Sequence, residues 1–348
     1  MRFSLCQMTT ESQDLKLPVI KDEQGRNISD KFDIGRNFCN KLWNASRFAM
    51  MNLNEINYDA FDSGKLTITD KWILSRLAQT VKEVTTMLNK FQISESLMAI
   101  YRFFWNDLCD WYLEWIKPRI KDLSQKDAPQ NVLAFVLDYT LRMLHPFVPF
   151  ITEGIYQKLN EIAPKRGLDQ AAENADALIV AKWPKDLDKL IDSQIEDKIN
   201  SVQNIVRAIR EIRNKYTVPP GKKLTASANA PADVSKILND NADLICDRAG
   251  LEKFTASPEQ PKPENAAAAV VEQVQVFVQG LIDADAERKR LEKQRDELLA
   301  GVKGNESKLS NENFVKRAKP EVVEQTKQRL AELKEQLAAV EKNLAELK

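Results

Sequence analysis

Arginine, asparagine and tryptophan recur along one stretch, Arg36 to Phe48, which reads RNFCNKLWNASRF. Guanidinium and amide groups pair with exposed base edges and an indole stacks on a splayed base, so the chemistry on offer is recognition of single-stranded loop RNA. At about 100° per residue, Arg36, Asn37, Asn40, Asn44 and Arg47 share one side of a helix, with Trp43 on its flank and Lys41 beside them. No carboxylate occurs between Asp33 and Glu55. Phe38, Cys39, Leu42, Ala45 and Ala49 take the opposite, core-facing side. The competing reading is a polar seam between packed helices, its Asn amides satisfying one another.

A second candidate lies between Lys198 and Lys223, where seven basic residues meet a single acid, Glu211. Ile195, Ile199, Val202, Val206, Ile209 and Ile212 form the stripe that docks this helix on the bundle, and Arg207, Arg210 and Asn214 point away from it. Those groups suit phosphate contacts, or else they are a solvated surface. Catalytic chemistry has no comparable footing. The only histidine, His145, sits in the hinge His145-Pro146-Phe147-Val148-Pro149 with no Ser, Cys or metal-ligand constellation spaced around it, which favours a capping or packing role. Cys6, Cys39, Cys109 and Cys246 are far apart and include no C-x-x-C pair, which speaks against a zinc site or a disulfide scaffold and fits a reducing cytoplasm. Residues 224–280 carry no Gly-rich phosphate loop and no paired carboxylates that would suggest chemistry, and no catalytic, cofactor-binding or metal-binding residue is expected in the chain.

Lys plus Arg balance Asp plus Glu, 51 against 51, so local rather than net charge must point to a nucleic-acid partner. At 348 residues the chain has room for two or three domains. No signal peptide is read, and no apolar run approaches the ~20 residues that span a bilayer.

The elements that must position these groups are mostly helical. Residues 1–31 give a short apolar pattern (Met1, Phe3, Leu5, Met8) that needs a partner surface, and they read as a linker. Residues 32–223 read as a helical bundle. Thr67 to Asp70 offer a helix cap, followed by Trp72, Ile73, Leu77, Val81, Val84 and Leu88 at three- and four-residue steps. Leu97, Tyr101, Phe104, Trp105, Leu108, Trp111, Tyr112 and Trp115 form an aromatic core face that Pro118 interrupts near its end. Helices over Val132–Leu144 and Phe150–Leu159, a loop over 163–192, and a helix from Ser193 to Tyr216 complete the bundle. Residues 224–280 read as a small α/β module, with strands at Leu224–Ala228 and Gln273–Val278, a helix over Ala232–Ala249 and a Pro-rich loop at Pro258–Pro263.

The last segment, 281–348, reads as an antiparallel coiled-coil hairpin. Val323, Thr326, Leu330, Leu333, Leu337, Val340, Leu344 and Leu347 make an unbroken heptad seam. The preceding arm is rougher, with Leu281, Ala284, Leu291, Leu298, Val302 and Leu309 in register with Arg288, Arg295 and Asn305. Ser310–Lys319 interrupts the helix and Pro320 suits a first turn. Each arm is close to thirty residues, or ~43 Å. Arg288, Lys289, Arg290, Lys293, Arg295, Lys316, Arg317 and Lys319 are the candidates for gripping an RNA body, against the reading that near-equal numbers of acids make them a solvated surface.

RNFCNKLWNASRF resembles the helix that opens the anticodon-binding bundle of class I valyl-tRNA synthetases. Further resemblances follow in that family's order: RFFWNDLCDWYLEWIKP from Arg102, LRMLHPFVPFITEGIYQKL from Leu141, IVRAIREIRNKYTVPPGKKL from Ile205 and KLSNENFVKRAKPEVV from Lys308. Together they span nearly the whole chain. The resemblance implies a mainly α fold of the class I synthetase anticodon-binding type, the α/β module, and a tRNA-binding coiled-coil arm. It also implies a ligase that joins valine to its tRNA with ATP and Mg²⁺ and edits mischarged threonine. Neither a His-Ile-Gly-His-like turn nor a Lys-Met-Ser-Lys-Ser-like loop occurs here, and segments resembling MRFSLCQMTTESQDLKL follow directly after that loop in the family. Met1 is therefore expected to be an internal methionine, the chain the C-terminal portion of a longer protein, and the fragment inactive alone. The expected partners are valine tRNA and the catalytic and editing domains; the expected state is a cytoplasmic monomer without a cofactor of its own. Isoleucyl relatives commonly end in a cysteine-ligated zinc module, so the coiled coil favours the valyl branch. An adaptor that binds other proteins through its bundle and coiled coil is the alternative. It leaves the Arg/Asn/Trp face unexplained.

Overall fold

The computed structural model describes residues 1–9, 18–25, 27–168, 170–171, 174–281, 284–310 and 320–346, which divide into two compact units, 1–200 and 201–348. In the first unit a short helix α1 (Arg2–Met8) precedes a two-residue strand pair, β1 (Ile20–Lys21) and β2 (Asn27–Ile28), and then α2 (Asp33–Asn52). Helix α3 (Ile68–Asn89) starts on the capping box expected from its sequence: Thr67 and Asp70 each satisfy the other's backbone at the helix start. Helix α4 (Ile93–Arg102) runs without a break into a π-helical stretch, Phe103–Tyr112, and then into α5 (Leu113–Lys121). Pro118, near the end of the aromatic face, does not end the helix. It lies inside α5, which continues to Lys121 although Pro118 has no N–H to donate back to the preceding turn.

Helices α6 (Asp127–Leu144) and α7 (Pro149–Ile162) pack as a pair, and α6 also packs on α3. Their corner explains His145: its Nδ1 lies 2.9 Å from Thr152 Oγ1, a hydroxyl that itself donates to the Val148 and Pro149 carbonyls. The core holds Phe38, Leu42, Ile73, Leu77, Phe104, Tyr112, Leu141 and Tyr156, all fully buried. Two buried polar knots pin it. Asp70 accepts from Tyr112 and Arg119, and Asp138 of α6 accepts from Arg142 and from Arg166, a fully buried residue of the loop after α7. Helix α8 (Ser193–Lys215) is tied to α3 at its start, where Ser75 and Arg76 both donate to Glu196 and Arg76 also donates to Asp107.

The second unit begins inside α8 and holds a mixed sheet of β3 (Leu224–Asn229), β4 (Leu251–Ser257), β5 (Ala267–Val271) and β6 (Val274–Val278). The strand order is β4-β3-β6-β5, with β3 and β4 parallel and the other pairs antiparallel. The parallel crossover carries α9 (Ala232–Asp240) and α10 (Ala242–Ala249), so the single helix expected over 232–249 breaks at Asn241. Gly250 closes α10 with φ 66°, a left-handed cap that glycine adopts at least cost. Helices α11 (Ala284–Ser310) and α12 (Pro320–Glu346) pack on each other as the hairpin. Val302, Leu333 and Val340 are buried at the seam, and Lys334 pairs with Glu306 across it at 2.8 Å.

Candidate nucleic-acid interface

The aromatic core sets the orientation of α2. Phe38 stacks on Phe3 with ring centroids 4.6 Å apart and meets Tyr101 and Phe104, each at 5.5 Å, while Leu42 and Ala49 are buried behind it. Gly35 lets α1 come this close: a Cβ there would stand 2.7 Å from Ser4 Oγ and 3.4 Å from the Phe3 ring. With that side fixed inward, helical geometry turns the other outward. Asn37, Asn40, Asn44 and Arg47 are exposed, Arg36 keeps 68% of its side-chain surface, and Trp43 is 48% exposed. Among the described residues these amides stand in solvent and form no seam between packed helices of this chain.

Two features of the face differ from the sequence reading. Arg36 is paired with Asp33 one turn back at 3.0 Å. Lys41 is not a free cation: its Nζ lies 3.5 Å from Asp110 Oδ1 and 5.1 Å above the Trp105 ring, which stacks in turn on Tyr101. The face is thus free of acids in sequence but not in space. The π-helical stretch is the cause, because its wider turns shift Asp110 out of the register an α-helix would give it. At the far end Lys117 of α5 lies over the Phe48 ring at 5.6 Å while paired with Glu114.

In the second unit the basic candidates separate. Asn214 is exposed, and so is Arg207, which donates to Asn204 and Gln203 of its own helix. Arg210 does not point away. It is half-buried and its Nε donates to the Arg248 carbonyl at 2.9 Å, at the C-terminal end of α10. Arg213, buried and not singled out by sequence, donates to the carbonyls of Lys222, Gly250 and Pro219. Both guanidiniums serve backbone carbonyls, those of Arg248 and Gly250 at the C-terminal end of α10 and those of Pro219 and Lys222 in the turn after α8, and positive charge suits a helix C-terminus. They fasten the module, and Arg210 is engaged there rather than pointing away as its sequence position suggested.

On the arm, Lys293 is exposed and Arg295 is half-buried, donating to Asp296 at 2.8 Å and feeling the charge of Glu341 on the second arm. Arg288, Lys289 and Arg290 fall on α11 with side chains outside the described set, and Lys316, Arg317 and Lys319 lie outside the described residues. No group of three or more His, Cys, Asp or Glu among the described residues could hold a metal ion, and no helix among them is long and apolar enough to cross a membrane. Burial pushes the Cys109 thiol up to about 12, and it lowers the His145 imidazole below its ordinary value.

Known proteins place these elements in a family. A family model described as the anticodon-binding domain of tRNA ligase matches residues 70–228, and one described as the valyl tRNA synthetase tRNA binding arm matches residues 283–348. Among curated proteins, the valine–tRNA ligase of Rhodopirellula baltica is 34% identical over 393 aligned residues, covering all of this chain and 38% of that protein. Those of Thermotoga maritima and Geobacillus stearothermophilus are each 35% identical, again over the whole chain and over 37% and 38% of their own lengths. The chain therefore spans less than two-fifths of the length of these relatives, and the match falls in their C-terminal part.

Proposed function

The chain belongs to the valine–tRNA ligase family, and on that premise we propose that it binds valine tRNA, reading the anticodon with the outer face of α2 and holding the tRNA body with the α11–α12 hairpin. The observation that carries this reading is the α2 face itself. Asn37, Asn40, Asn44, Arg47 and Trp43 stand in solvent on a helix whose back is locked by Phe3, Phe38, Tyr101 and Phe104. Preorganised amide and guanidinium donors beside an indole are what a splayed loop needs, and a rigid backing keeps the ordering cost of binding low. The face precedes residue 70, where the matched anticodon-binding model begins, but all three relatives align across it.

The arm reading draws support from the family model matched over 283–348 and from the length of its helices, 27 residues each. At ~1.5 Å per residue such an arm extends ~40 Å, enough to run from an anticodon stem toward the tRNA elbow. Shape and phosphate contacts dominate recognition there. On this reading the chain works as a cytoplasmic monomer that binds tRNA without charging it, since neither a His-Ile-Gly-His-like turn nor a Lys-Met-Ser-Lys-Ser-like loop occurs in these 348 residues. Purified protein should therefore give no ATP–pyrophosphate exchange with valine.

Asn44→Ala and Arg47→Ala test the reading. Each is expected to weaken valine tRNA binding by ~1–3 kcal/mol for a lost bidentate contact while leaving the unfolding midpoint unchanged. Unaltered affinity in both variants would sink it. For the arm, deletion of residues 281–348 should lower affinity for whole tRNA and spare an isolated anticodon stem-loop; equal affinity for whole tRNA would return the hairpin to protein interaction.

A further inference from the structure

A cavity of about 460 Å³ lies in the first unit between α6 and the stretch Lys182–Asp186, with none of its lining on α2, and it is large enough for a small organic ligand. Its walls are aromatic and fixed. Phe135 and Tyr139 of α6 meet ring to ring with centroids 4.2 Å apart, and Trp183 lines the same space with its indole N–H donating to Thr85 Oγ1 of α3 at 2.9 Å. Its charge is mostly cationic, with Arg142, Lys182 and Lys185 set against one carboxylate, Asp186. Arg142 is buried and held, donating to Asp138 and to the Lys182 carbonyl while its guanidinium lies over the Tyr139 ring at 5.7 Å. Lys185 and Asp186 stand at the mouth, 76% and 84% exposed and 3.9 Å apart, a pair weak enough to part for a ligand. Burial lifts the Tyr139 phenol above its ordinary value, so its hydroxyl stays a donor, and among the described residues it has no hydrogen-bond partner.

Rigid aromatic walls beside fixed positive charge suit a planar group that carries an anion. A purely apolar ligand would leave the cations unanswered, and a bare inorganic anion would leave the walls unused. We propose that this cavity binds one nucleoside monophosphate unit, its base against Tyr139 and Trp183, its phosphate at Lys185 beside Lys182, and its ribose hydroxyls donating to Asp186. Arg142 holds the Tyr139 ring in place and adds its charge from behind. The unit comes as a free nucleotide or as one residue of an RNA strand, and both sources present the same chemistry. The site shares no lining residue with the α2 face and stands without the reading given to that face.

Equilibrium dialysis of the full chain with labelled adenosine 5′-monophosphate tests this, beside adenosine, ribose 5-phosphate and a short oligoadenylate. The monophosphate is expected to bind about tenfold or more tightly than adenosine or ribose 5-phosphate, because it alone uses walls and mouth together. Tyr139→Leu should weaken it ~5- to 150-fold, the equivalent of the ~1–3 kcal/mol of one stacked base. Lys185→Glu, a change at an exposed side chain, should weaken it several-fold, by a factor that shrinks as salt is raised. If Tyr139→Leu lowers the unfolding midpoint, Lys185→Glu alone decides. Both variants should bind the valine anticodon stem-loop as the unaltered chain does, so failure of the α2 reading and failure of this one are seen separately. Oligoadenylate binding about tenfold or more tightly than the monophosphate identifies an RNA strand as the source, and equal or weaker binding identifies a free nucleotide. Absence of binding by both at millimolar concentration overturns the proposal. So does binding that Tyr139→Leu and Lys185→Glu leave unchanged, since the ligand then sits elsewhere.

Discussion

Asp138→Asn should be among the most damaging single changes outside the hydrophobic core. Asp138 is buried on α6 and serves two guanidiniums, Arg142 Nη2 at 2.9 Å and Arg166 Nη2 at 2.9 Å. Arg166 is fully buried, its Nη1 donating to the Ala163 carbonyl and its other contacts lying with Asn160 and the Tyr156 ring. Neutralising the carboxylate leaves a buried cation without its counter-charge, and removing one member of a buried pair typically costs ~3–5 kcal/mol. For a unit of this size that is a fall of ~6–20 °C in midpoint. The neighbouring Lys165–Asp59 pair gives the control, because both side chains are more than half exposed and Asp59→Asn should cost less than ~1 kcal/mol. Thermal and urea unfolding followed by circular dichroism would compare the two. A loss under ~1 kcal/mol for Asp138→Asn would refute the argument that this knot pins the loop after α7 to α6.

Gly35→Ala should loosen α1 from α2, because its Cβ would meet Ser4 Oγ at 2.7 Å; Ser4→Gly in the same chain should restore most of the loss, measured as protection of α1 amides from hydrogen exchange. The sole histidine gives a clean pH readout. Burial depresses the folded-state pKa of His145, so the neutral form is favoured on folding and the resulting stability is fully present above the unfolded-state value of about 6.5 and is lost as pH falls from there through the lower folded-state value; NMR titration should find the imidazole below 6.5, and His145→Gln should remove this part of the pH dependence. Cys109, buried and held as a thiol by a pKa raised to about 12, should resist alkylation at pH 8 in the native protein and react on unfolding.

How far the sequence reaches depends on whether a side chain's neighbours are set by helical period or by a change of it. The α2 face follows from period alone, since an apolar stripe fixes which side points out. So do the Thr67–Asp70 cap and the α12 seam, where Leu333 and Val340 are buried as their heptad positions require. Asp110 escapes because the π-helical stretch alters the register before it, and no residue pattern in RFFWNDLCDWY announces that. Arg210 escapes because its partner is a backbone carbonyl 38 residues away, invisible to any pattern of side chains. β5 escapes because its sequence, Ala267-Ala268-Ala269-Val270-Val271, lacks the alternation that marks a half-buried strand. Arg166 lies in a stretch that reads only as a loop, and it is the fold that shows it buried against Asp138.

Titration of labelled valine tRNA with the full chain across a series of salt concentrations, beside a tRNA of different anticodon and beside the Asn44→Ala chain, tests the central claim most directly. The account predicts submicromolar-to-micromolar binding whose logarithm falls linearly with the logarithm of salt, by roughly 0.7–0.9 per phosphate contact. It also predicts a preference for the valine anticodon that persists across the series and shrinks in Asn44→Ala. Binding that ignores salt, or equal affinity for both tRNAs in the unaltered chain, would contradict it.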